Sequence, residues 1–382
     1  MSLDDDVRAE LQQLEAQHRL RVPRTIDSPQ GPRVILDGAE VLNFASNDYL
    51  SLANDRRLIR ATVAAVEEAG AGAGASRLIV GNHRHHVALE RSLADWLRVD
   101  GVRLFNSGYA ANLGVLTTLC RPGDIVFSDA LNHASIIDGC RLSRADVVVY
   151  PHLDLAALET ALADSRTAGR RFIVSETLFS MDGDISDVAA LAALAYRHGA
   201  ALILDEAHAI GVLGPEGRGV AAAANVVADV MIGTCGKALG SFGAFTASSR
   251  EIADLLWSRA RPFVFSTGLP PMIPASVRAA IEVVRSTEGD DRRRALSSNA
   301  QQLRSRVPAL GGSAISAIAP LLVGDDRRVM AMTNCLLEAK LFVQGIRPPT
   351  VPEGTARLRV SLAAGHTTAD IETLARALLC ST

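Results

Sequence analysis

The sequence predicts an α/β fold, with a large domain built on a doubly wound, mostly parallel sheet of seven strands and a smaller α+β C-terminal domain. From about Val102 onward, short apolar runs alternate with segments of helical periodicity, a pattern typical of parallel strands joined by helical crossovers. The chain has 382 residues, of which 48% are apolar, which is enough for one sizeable core and a second, smaller one.

The predicted strands and helices alternate along the middle of the chain. Strands are expected at residues 102–105, 125–127, 147–150, 172–175, 201–204, 230–232 and 243–247. Helices are expected from Tyr109, near residues 135–142, after Asp154, which is a good N-cap residue, and over residues 188–197. Strands and helices that alternate in this way predict a sheet with helices on both faces.

The two ends of the chain have different patterns. Residues 7–21 are predicted to form a helix, and an extended arm with several prolines follows it. After Pro271 a helical stretch leads into a region of mixed pattern, in which residues 357–362 are predicted to form a strand. These patterns divide the chain into an N-terminal helix and arm (1–45), a large domain (46–275) and a small C-terminal domain (276–382).

Composition argues against several classes of function. The formal net charge is −3 and no basic stripe with interleaved aromatic residues appears, so nucleic acid is not the expected partner. No apolar run of about 18 residues is present, so no membrane span is expected. The acidic, helix-like N-terminus does not resemble a secretory signal. The five cysteines lack metal-ligand spacing, so we expect free thiols, a reducing cytoplasm and no metal site.

Polar side chains follow several of the predicted strands. They are Ser107, His133, Ser180, Asp205, His208 and Lys237. In a doubly wound sheet, ligands bind beyond the carboxyl ends of the strands. The sequence therefore predicts a ligand site built from these residues.

Lys237, Asp205 and His208 form the set that pyridoxal 5′-phosphate (PLP) chemistry needs. A lysine amine forms a Schiff base with the cofactor aldehyde, and a carboxylate keeps the pyridine nitrogen protonated so that the ring accepts electrons. His208 is expected beside the ring hydroxyl, and burial is expected to lower the pKa of Lys237. A single lysine after a strand is usually a surface residue. The Asp-Glu-Ala-His segment of residues 205–208 makes a catalytic role for Lys237 the favoured interpretation.

Residues 106–112 join a strand to a helix, which on its own would be an ordinary strand–helix turn. A helix N-terminus also binds phosphate through free N–H groups and its positive dipole end. Gly108 permits close approach, and Thr234 is a candidate second donor. His133 is expected to stack on the pyridine ring, although an isolated histidine is more often structural. Ser180 is a candidate ligand of the cofactor hydroxyl.

Three further segments have open interpretations. Residues 182–184 are interpreted as a simple turn, because the calcium-loop pattern is not completed. The glycine-rich residues 70–76 lack dinucleotide spacing, so their backbone is expected to lie near a ligand or a partner subunit. Arg357 and Arg359 share one strand face; they are either a buried clamp for a substrate carboxylate or two solvated edge charges.

Together these segments resemble the α-oxoamine synthases, a branch of the fold-type I PLP enzymes. The shared segments are residues 46–50, 107–112, 133–135, 179–184, 205–208 and 236–240, and their order and spacing carry a resemblance that runs from residue 43 to 362. It implies a fold-type I PLP transferase, with Lys237 as the Schiff-base lysine and base, Asp205 behind the pyridine ring and His133 as a possible proton donor.

The resemblance also implies the binding residues. Cofactor contacts are implied for Ser107, Gly108, Tyr109, His133, Ser180, Asp205, His208, Thr234, Lys237 and Thr267. Substrate contacts are implied for Arg21, Asn47, His133, Thr350 and Arg359, with Arg359 on the amino-acid carboxylate. Residues 265–268 resemble a segment that reaches the phosphate of the neighbouring subunit, so a homodimer with shared sites is expected.

Residues 346–359, with two prolines after Arg347, are similar to the branch member that condenses L-alanine with a pimeloyl thioester in biotin biosynthesis. Ser51, Ala209 and Cys235 depart from the usual pattern and leave the acyl-chain preference open. The donor is carried either by coenzyme A or by a carrier protein.

Three kinds of alternative stay open on the sequence. A related synthase uses glycine, as 5-aminolevulinate synthase and 2-amino-3-ketobutyrate ligase do, or transfers a long acyl chain to serine. A non-catalytic partner subunit of the same fold would be expected to lack the lysine, which this chain keeps. An NAD-binding oxidoreductase would be expected to carry the dinucleotide fingerprint, which this chain lacks.

Overall fold

The structure, a computed structural model, describes residues 2–381. Their contacts group the chain into two compact units. Unit 1 comprises the chain up to Ser51, Met181–Asp184 and the chain from Arg294 onward; unit 2 comprises Leu52–Ser180 and Ile185–Arg293. The N-terminal arm therefore groups with the C-terminal segment. The division into domains at residues 45/46 and 275/276 stays a prediction.

The elements are numbered in chain order. The strands are β1 Arg33–Leu36, β2 Ala39–Asn43, β3 Gly101–Phe105, β4 Ile125–Asp129, β5 Asp146–Tyr150, β6 Arg171–Glu176, β7 Ala200–Asp205, β8 Val230–Thr234, β9 Ala244–Ser248, β10 Ile318–Gly324, β11 Leu341–Phe342, β12 Gln344–Ile346 and β13 Ala356–Ser361. The helices are α1 Leu3–Ala16, α2 Arg56–Ala69, α3 Arg84–Leu97, α4 Gly108–Leu119, α5 Ala134–Ser143, α6 Leu155–Asp164, α7 Val188–His198, α8 Val220–Ala223, α9 Arg250–Arg259, α10 Arg261–Val264, α11 Met272–Val284, α12 Thr287–Arg306, α13 Asp326–Glu338 and α14 Thr368–Ser381, with a short 3₁₀ turn at Pro215–Gly217.

Unit 2 is built on a seven-stranded sheet in the order β3-β9-β8-β7-β6-β4-β5 within the described residues. The five strands from β8 to β5 are parallel, and β9 runs antiparallel to both of its neighbours. The predicted α/β class and doubly wound, mostly parallel sheet are confirmed. All seven predicted strands are present, with bounds that differ by at most two residues.

Alternate residues of the central strands enter two different cores. On β6, Phe172 and Val174 pack with residues of α4 and α5, whereas Ile173 packs with residues of α6 and α7. Nearly every residue of β4, β6 and β7 is buried, as expected for strands covered on both faces. The parallel strands therefore end at one edge of the sheet, and the loops after them carry the polar residues singled out above.

Unit 1 contains two three-stranded sheets, in the orders β1-β2-β11 and β10-β13-β12, within the described residues. The β1–β2 hairpin turns at Asp37 and Gly38, both with positive φ, as a two-residue turn requires. The strand predicted at 357–362 is β13, and it lies at the centre of its sheet. Arg357 and Arg359 are each only 6% exposed, so the interpretation as solvated edge charges is wrong.

The N-terminal helix prediction was wrong in its bounds. Helix α1 begins at Leu3, because Ser2 and Asp5 form a capping box, and it does not reach residue 21. The helix ends at Ala16, and His18 adopts a positive φ that breaks the helical path. Within residues 2–381, no helix combines the length and the apolar character needed to cross a lipid bilayer.

Candidate active site

Lys237 and His208 meet at the carboxyl edge of the unit 2 sheet. Lys237 lies three residues beyond β8, and His208 three residues beyond the adjacent parallel strand β7. Lys237 Nζ is 2.8 Å from His208 Nε2. The turn that carries the lysine is closed by a hydrogen bond from Gly240 N–H to the Lys237 carbonyl. A Cβ at Gly240 would lie 2.5 Å from the Ala53 backbone nitrogen, so only glycine fits there.

Asp205 places a buried, hydrogen-bonded carboxylate beside this pair. It is the last residue of β7 and is 6% exposed. Its Oδ2 accepts a hydrogen bond from Asn112 Nδ2 at 2.7 Å, and its Oδ1 accepts one from the Ala207 N–H at 2.8 Å. A carboxylate held in this way is oriented and ready to accept from a cationic ring N–H.

The N-terminus of α4 suits an oxyanion. Ser107 caps the helix, and its Oγ accepts from the Ala110 N–H at 3.1 Å. A Cβ built on Gly108 meets no atom within 4 Å, so the space beyond the first turn is open. Tyr109 follows in the first turn and donates its hydroxyl hydrogen to Asp138. N–H groups of a first helical turn that face open space can bind a phosphate.

Thr234 and Thr267, the other predicted phosphate contacts, differ in exposure. Thr234 is 9% exposed; its Oγ1 donates to the Gly243 carbonyl at 3.1 Å and accepts from the Gly236 N–H at 3.2 Å. The Thr267 side chain is exposed, and its carbonyl accepts from Asn106 Nδ2 at 2.8 Å. Thr267 is thus tied to the residue that precedes the helix cap, while its side chain stays free to contact another molecule.

His133 caps α5 and contacts Ser135 through one edge of its ring. Nδ1 accepts from the Ser135 N–H at 3.2 Å and lies 2.7 Å from Ser135 Oγ. The other side of the residue reaches solvent, and the Tyr109 ring lies edge-on with ring centroids 6.5 Å apart. Burial of the enclosed edge lowers the pKa of His133, Asp205 opposes that shift and Lys237 adds to it. Ser180 lies half-buried after β6.

Two buried carboxyl groups next to this site were not singled out from the sequence. Glu206 accepts from the Val220 and Ala221 N–H groups at 2.9 and 2.7 Å, so it caps α8. Glu176 pairs with Asp205 across the β6–β7 register. Burial raises the pKa of Glu176, the neighbouring Asp205 raises it further, and Lys237 opposes the shift. The sequence signal for Glu206 was its position directly after Asp205, and that for Glu176 was its position directly after the predicted strand at 172–175.

The predicted substrate residues of unit 1 form two pairs. Arg359 donates from Nη1 and Nη2 to Asn47 Oδ1, both at 3.2 Å, and from Nη1 to Ser361 Oγ at 2.7 Å. Arg21 Nη2 donates to Thr350 Oγ1 at 3.1 Å. Arg21 and Thr350 also line a cavity of about 490 Å³ whose wall includes Arg24.

Arg357, the other arginine on the β13 face, has a structural partner. Its guanidinium pairs with Asp182 in the 181–184 segment of unit 1. Gly183 has a positive φ, as the turn interpretation of residues 182–184 requires, and a Cβ there would lie 2.3 Å from the Ile318 carbonyl oxygen. Among the described residues, no three His, Cys, Asp or Glu side chains cluster as metal ligands would.

Comparison with known proteins identifies relatives over almost the whole chain. The family model for aminotransferase class I and II matches residues 39–378. The chain is 50% identical to an 8-amino-7-oxononanoate synthase of Geobacter sulfurreducens over 371 residues, which cover 96% of this chain and 95% of the relative. It is 44% identical to the Marinobacter nauticus protein of the same name, over 98% of this chain and 95% of that one.

Solved structures agree with this relationship. A variant of the serine palmitoyltransferase of S. paucimobilis, with a bound PLP–myriocin aldimine, superposes with a TM-score of 0.93 at 31% identity, covering 99% of this chain and 96% of that chain. The 8-amino-7-oxononanoate synthase of Francisella tularensis superposes with a TM-score of 0.76 at 29% identity, covering 89% and 96%.

Replacing Glu176 by glutamine should change how stability depends on pH. Because the folded-state pKa of Glu176 is raised above its ordinary value of 4.5, the stability that its proton contributes is complete below pH 4.5 and is lost as the pH rises through the folded-state pKa. Glu176→Gln has no such proton to lose. Urea unfolding of the chain between about pH 5 and pH 9 should therefore show the variant gaining stability relative to the wild type as the pH rises.

Glu251→Gln, an exposed substitution on α9, serves as the matched control. Parallel stability curves for the wild type and Glu176→Gln across this range would contradict the account of Glu176.

Proposed function

The chain belongs to the aminotransferase class I and II family, and from that premise we propose that it condenses L-alanine with a pimeloyl thioester to form 8-amino-7-oxononanoate in biotin biosynthesis. The reaction releases carbon dioxide and the free carrier thiol. The chain is a PLP-dependent acyltransferase of fold type I. The observation that carries the proposal is the Lys237–His208 contact beside buried Asp205, in a chain 50% identical to a synthase of that name.

The residues of unit 2 fit the cofactor. When bound, PLP supplies an electron-withdrawing ring that stabilises negative charge at the α-carbon of the amino acid. The proposed anchors are Lys237 for the aldehyde, Asp205 for the ring nitrogen, His208 and Ser180 for the ring hydroxyl, His133 for the ring face, and Ser107, Gly108, Tyr109, Thr234 and Thr267 for the phosphate. The hydrogen-bonded Asp205 carboxylate and the open space beyond Gly108 support this assignment.

Lys237 is the proposed base. Its amine removes the α-proton of the amino acid, and a base in reach of that proton contributes roughly 10²–10⁴-fold to the rate. His208, at 2.8 Å, holds the amine by a hydrogen bond. Asp205 stays in place throughout, because donors on both of its oxygens fix it. The negative charge of Asp205 is therefore held at a constant position, where it would stabilise the protonated ring nitrogen of the bound cofactor.

Arg359 is the proposed partner of the amino-acid carboxylate. A guanidinium binds a carboxylate through two parallel N–H donors, which fixes direction as well as affinity. Asn47 Oδ1, Ser361 Oγ and the Tyr49 hydroxyl hold the Arg359 guanidinium within unit 1, at 3.2, 2.7 and 3.4 Å. Arg21 and Thr350 are the proposed contacts of the acyl substrate, and their hydrogen bond supports a shared role.

The alternatives are not favoured. Relatives that are 44–50% identical over nearly the full length carry the 8-amino-7-oxononanoate synthase name, whereas the serine palmitoyltransferase structure is 31% identical. Lys237 and its contact with His208 argue against a non-catalytic subunit.

We also propose a homodimer in the cytoplasm. Ile79, Val80 and Phe265 are each 73% exposed, and the bridge between Ser76 and Thr267 ties their two segments together. These exposed apolar side chains next to Thr267 are the kind of surface that a second copy of the chain covers in a dimer. The five cysteines are free thiols, which suits a reducing compartment.

The activity is tested by mass spectrometry of the product. The purified holoenzyme with L-alanine and pimeloyl-CoA should give 8-amino-7-oxononanoate, and Lys237→Ala should lower the rate at least 10²-fold, since it removes the base. Arg250→Ala, an exposed change on α9, is the control. Product from glycine but not from L-alanine would overturn the substrate assignment, and near-normal turnover by Lys237→Ala would overturn the role of the lysine.

The shared site is tested with hybrid dimers. If Thr267 contacts the phosphate in the neighbouring subunit, mixing Lys237→Ala with Thr267→Ala protomers restores one complete site, because the first supplies the threonine and the second the lysine. Because one of its two sites is complete, each hybrid dimer should have half of the wild-type activity. The complete site should bind PLP with the affinity of the wild-type enzyme. If the hybrid keeps the weakened PLP affinity of Thr267→Ala, the threonine acts within its own subunit.

A further inference from the structure

A chain of hydrogen bonds connects Asp205 to His133 through two residues that have no role in the function proposed above. Asn112 Nδ2 lies 2.7 Å from Asp205 Oδ2 and 3.0 Å from Ser135 Oγ, and Ser135 Oγ lies 2.7 Å from His133 Nδ1. Asn112 is 2% exposed, and Ser135 has no exposed surface. Water therefore does not reach the two middle members of the chain.

The direction of each hydrogen bond follows from chemistry. An ionised carboxylate only accepts, so Asp205 requires the NH₂ group of Asn112 on its side. The second hydrogen of that NH₂ group points at Ser135 Oγ, which accepts it. The Ser135 hydroxyl hydrogen is then left to donate to His133 Nδ1. The anion at one end thus orients every donor along the chain.

A second contact fixes the same nitrogen. The Ser135 backbone N–H points at His133 Nδ1 at 3.2 Å, and a backbone N–H can only donate. Two donors therefore face Nδ1, which must carry a lone pair. A neutral imidazole with a lone pair on Nδ1 has its proton on Nε2.

The surroundings of His133 are consistent with a neutral ring. The charged groups around it are Asp205 and Lys237, which act in opposite directions, while burial lowers its pKa. The Tyr109 ring meets the imidazole edge-on, and Glu176 faces the His133 backbone N–H. Protonation of Nδ1 would set its new N–H against two donors, so it would require the Ser135 hydroxyl to turn away.

We propose that Asn112 and Ser135 are positioning residues that hold the His133 imidazole as the neutral tautomer with its proton on Nε2, so that His133 presents a hydrogen-bond donor to the bound substrate. The proposal rests on the function proposed above and deepens it, since it assigns a donor role to the histidine. Asp205 then acts twice: it supports the ring nitrogen of the cofactor and, through Asn112, it sets the polarity of the hydrogen-bond chain.

The direct test is ¹⁵N NMR of histidine-labelled protein with and without bound PLP, with the His133 signals assigned by their loss in His133→Ala. The expected spectrum shows a protonated Nε2 and an unprotonated Nδ1 near neutral pH. In Ser135→Ala and in Asn112→Leu the Nδ1 signal should move toward the value averaged over both tautomers. A protonated Nδ1 in the wild type would overturn the proposal, whether or not the enzyme forms the product.

The kinetic test is a double-mutant cycle. Ser135→Ala should lower kcat about tenfold, the effect of one hydrogen bond, with a smaller change in KM for L-alanine. In the His133→Ala background the same substitution should change kcat by less than about twofold, because its effect passes through the imidazole. Equal losses in both backgrounds would show that Ser135 affects kcat independently of the His133 imidazole, and would overturn the proposal.

Matched variants separate folding from positioning. Ser143→Ala removes another buried hydroxyl of α5, whose hydrogen-bond partners are the Cys140 carbonyl and the Ala145 N–H, and should leave kcat unchanged. Ser135→Thr keeps the hydroxyl and, unlike Ser135→Ala, should show the Nδ1 signal and the kcat of the wild type. If the product test fails while the Nε2–H tautomer is observed, the substrate assignment is wrong and the positioning role stands.

Discussion

The buried carboxylate of Asp205 is the constraint on which the rest of the site depends. An anion removed from water is costly unless donors compensate it, and here Asn112 and the Ala207 backbone supply them at 2.7 and 2.8 Å. The sheet determines where this anion lies. Because β7 pairs in parallel with β6 and β8, its last residue is flanked by Glu176 on one side and by the strand that leads to Lys237 on the other.

Three carboxyl groups lie at this edge, and the surroundings of each one decide its role. Glu206 accepts from two N–H groups of α8 and from Thr177 Oγ1, so it fixes the loop after β7. Glu176 has fewer donors, so burial and Asp205 raise its pKa and favour its neutral form. Asp205 has both of its oxygens oriented by donors. A cationic pyridine ring and a lysine amine are the groups that such an edge attracts.

The sequence predicted much of this arrangement, for physical reasons. Strands buried on both faces, such as β4, β6 and β7, are continuous apolar runs, and all seven strands of the sheet lie within two residues of their predicted bounds. Polar residues after those strands had to converge, because parallel strands end together. The antiparallel direction of β9 was not predicted, since an apolar run carries no sign of direction. Helix α1 begins earlier than predicted because Ser2 and Asp5 form a capping box.

The side-chain partners that residues find through the tertiary fold could not be predicted from the sequence. Arg357 and Arg359 lie on the same face of β13 and are equally buried, yet they have different partners. Arg357 pairs with Asp182, whereas Arg359 donates to Asn47 and Ser361. The links of Asn112 with Asp205 and Ser135 join positions 93 and 23 residues away along the chain, and no local pattern records them.

The most direct test of the central claim is the ¹⁵N chemical shift of the ring nitrogen in holoenzyme reconstituted with ¹⁵N-labelled PLP. The account predicts a protonated ring nitrogen throughout the pH range in which the enzyme is folded, and loss of that proton in Asp205→Asn. An unprotonated ring nitrogen in the wild-type enzyme at neutral pH would contradict it.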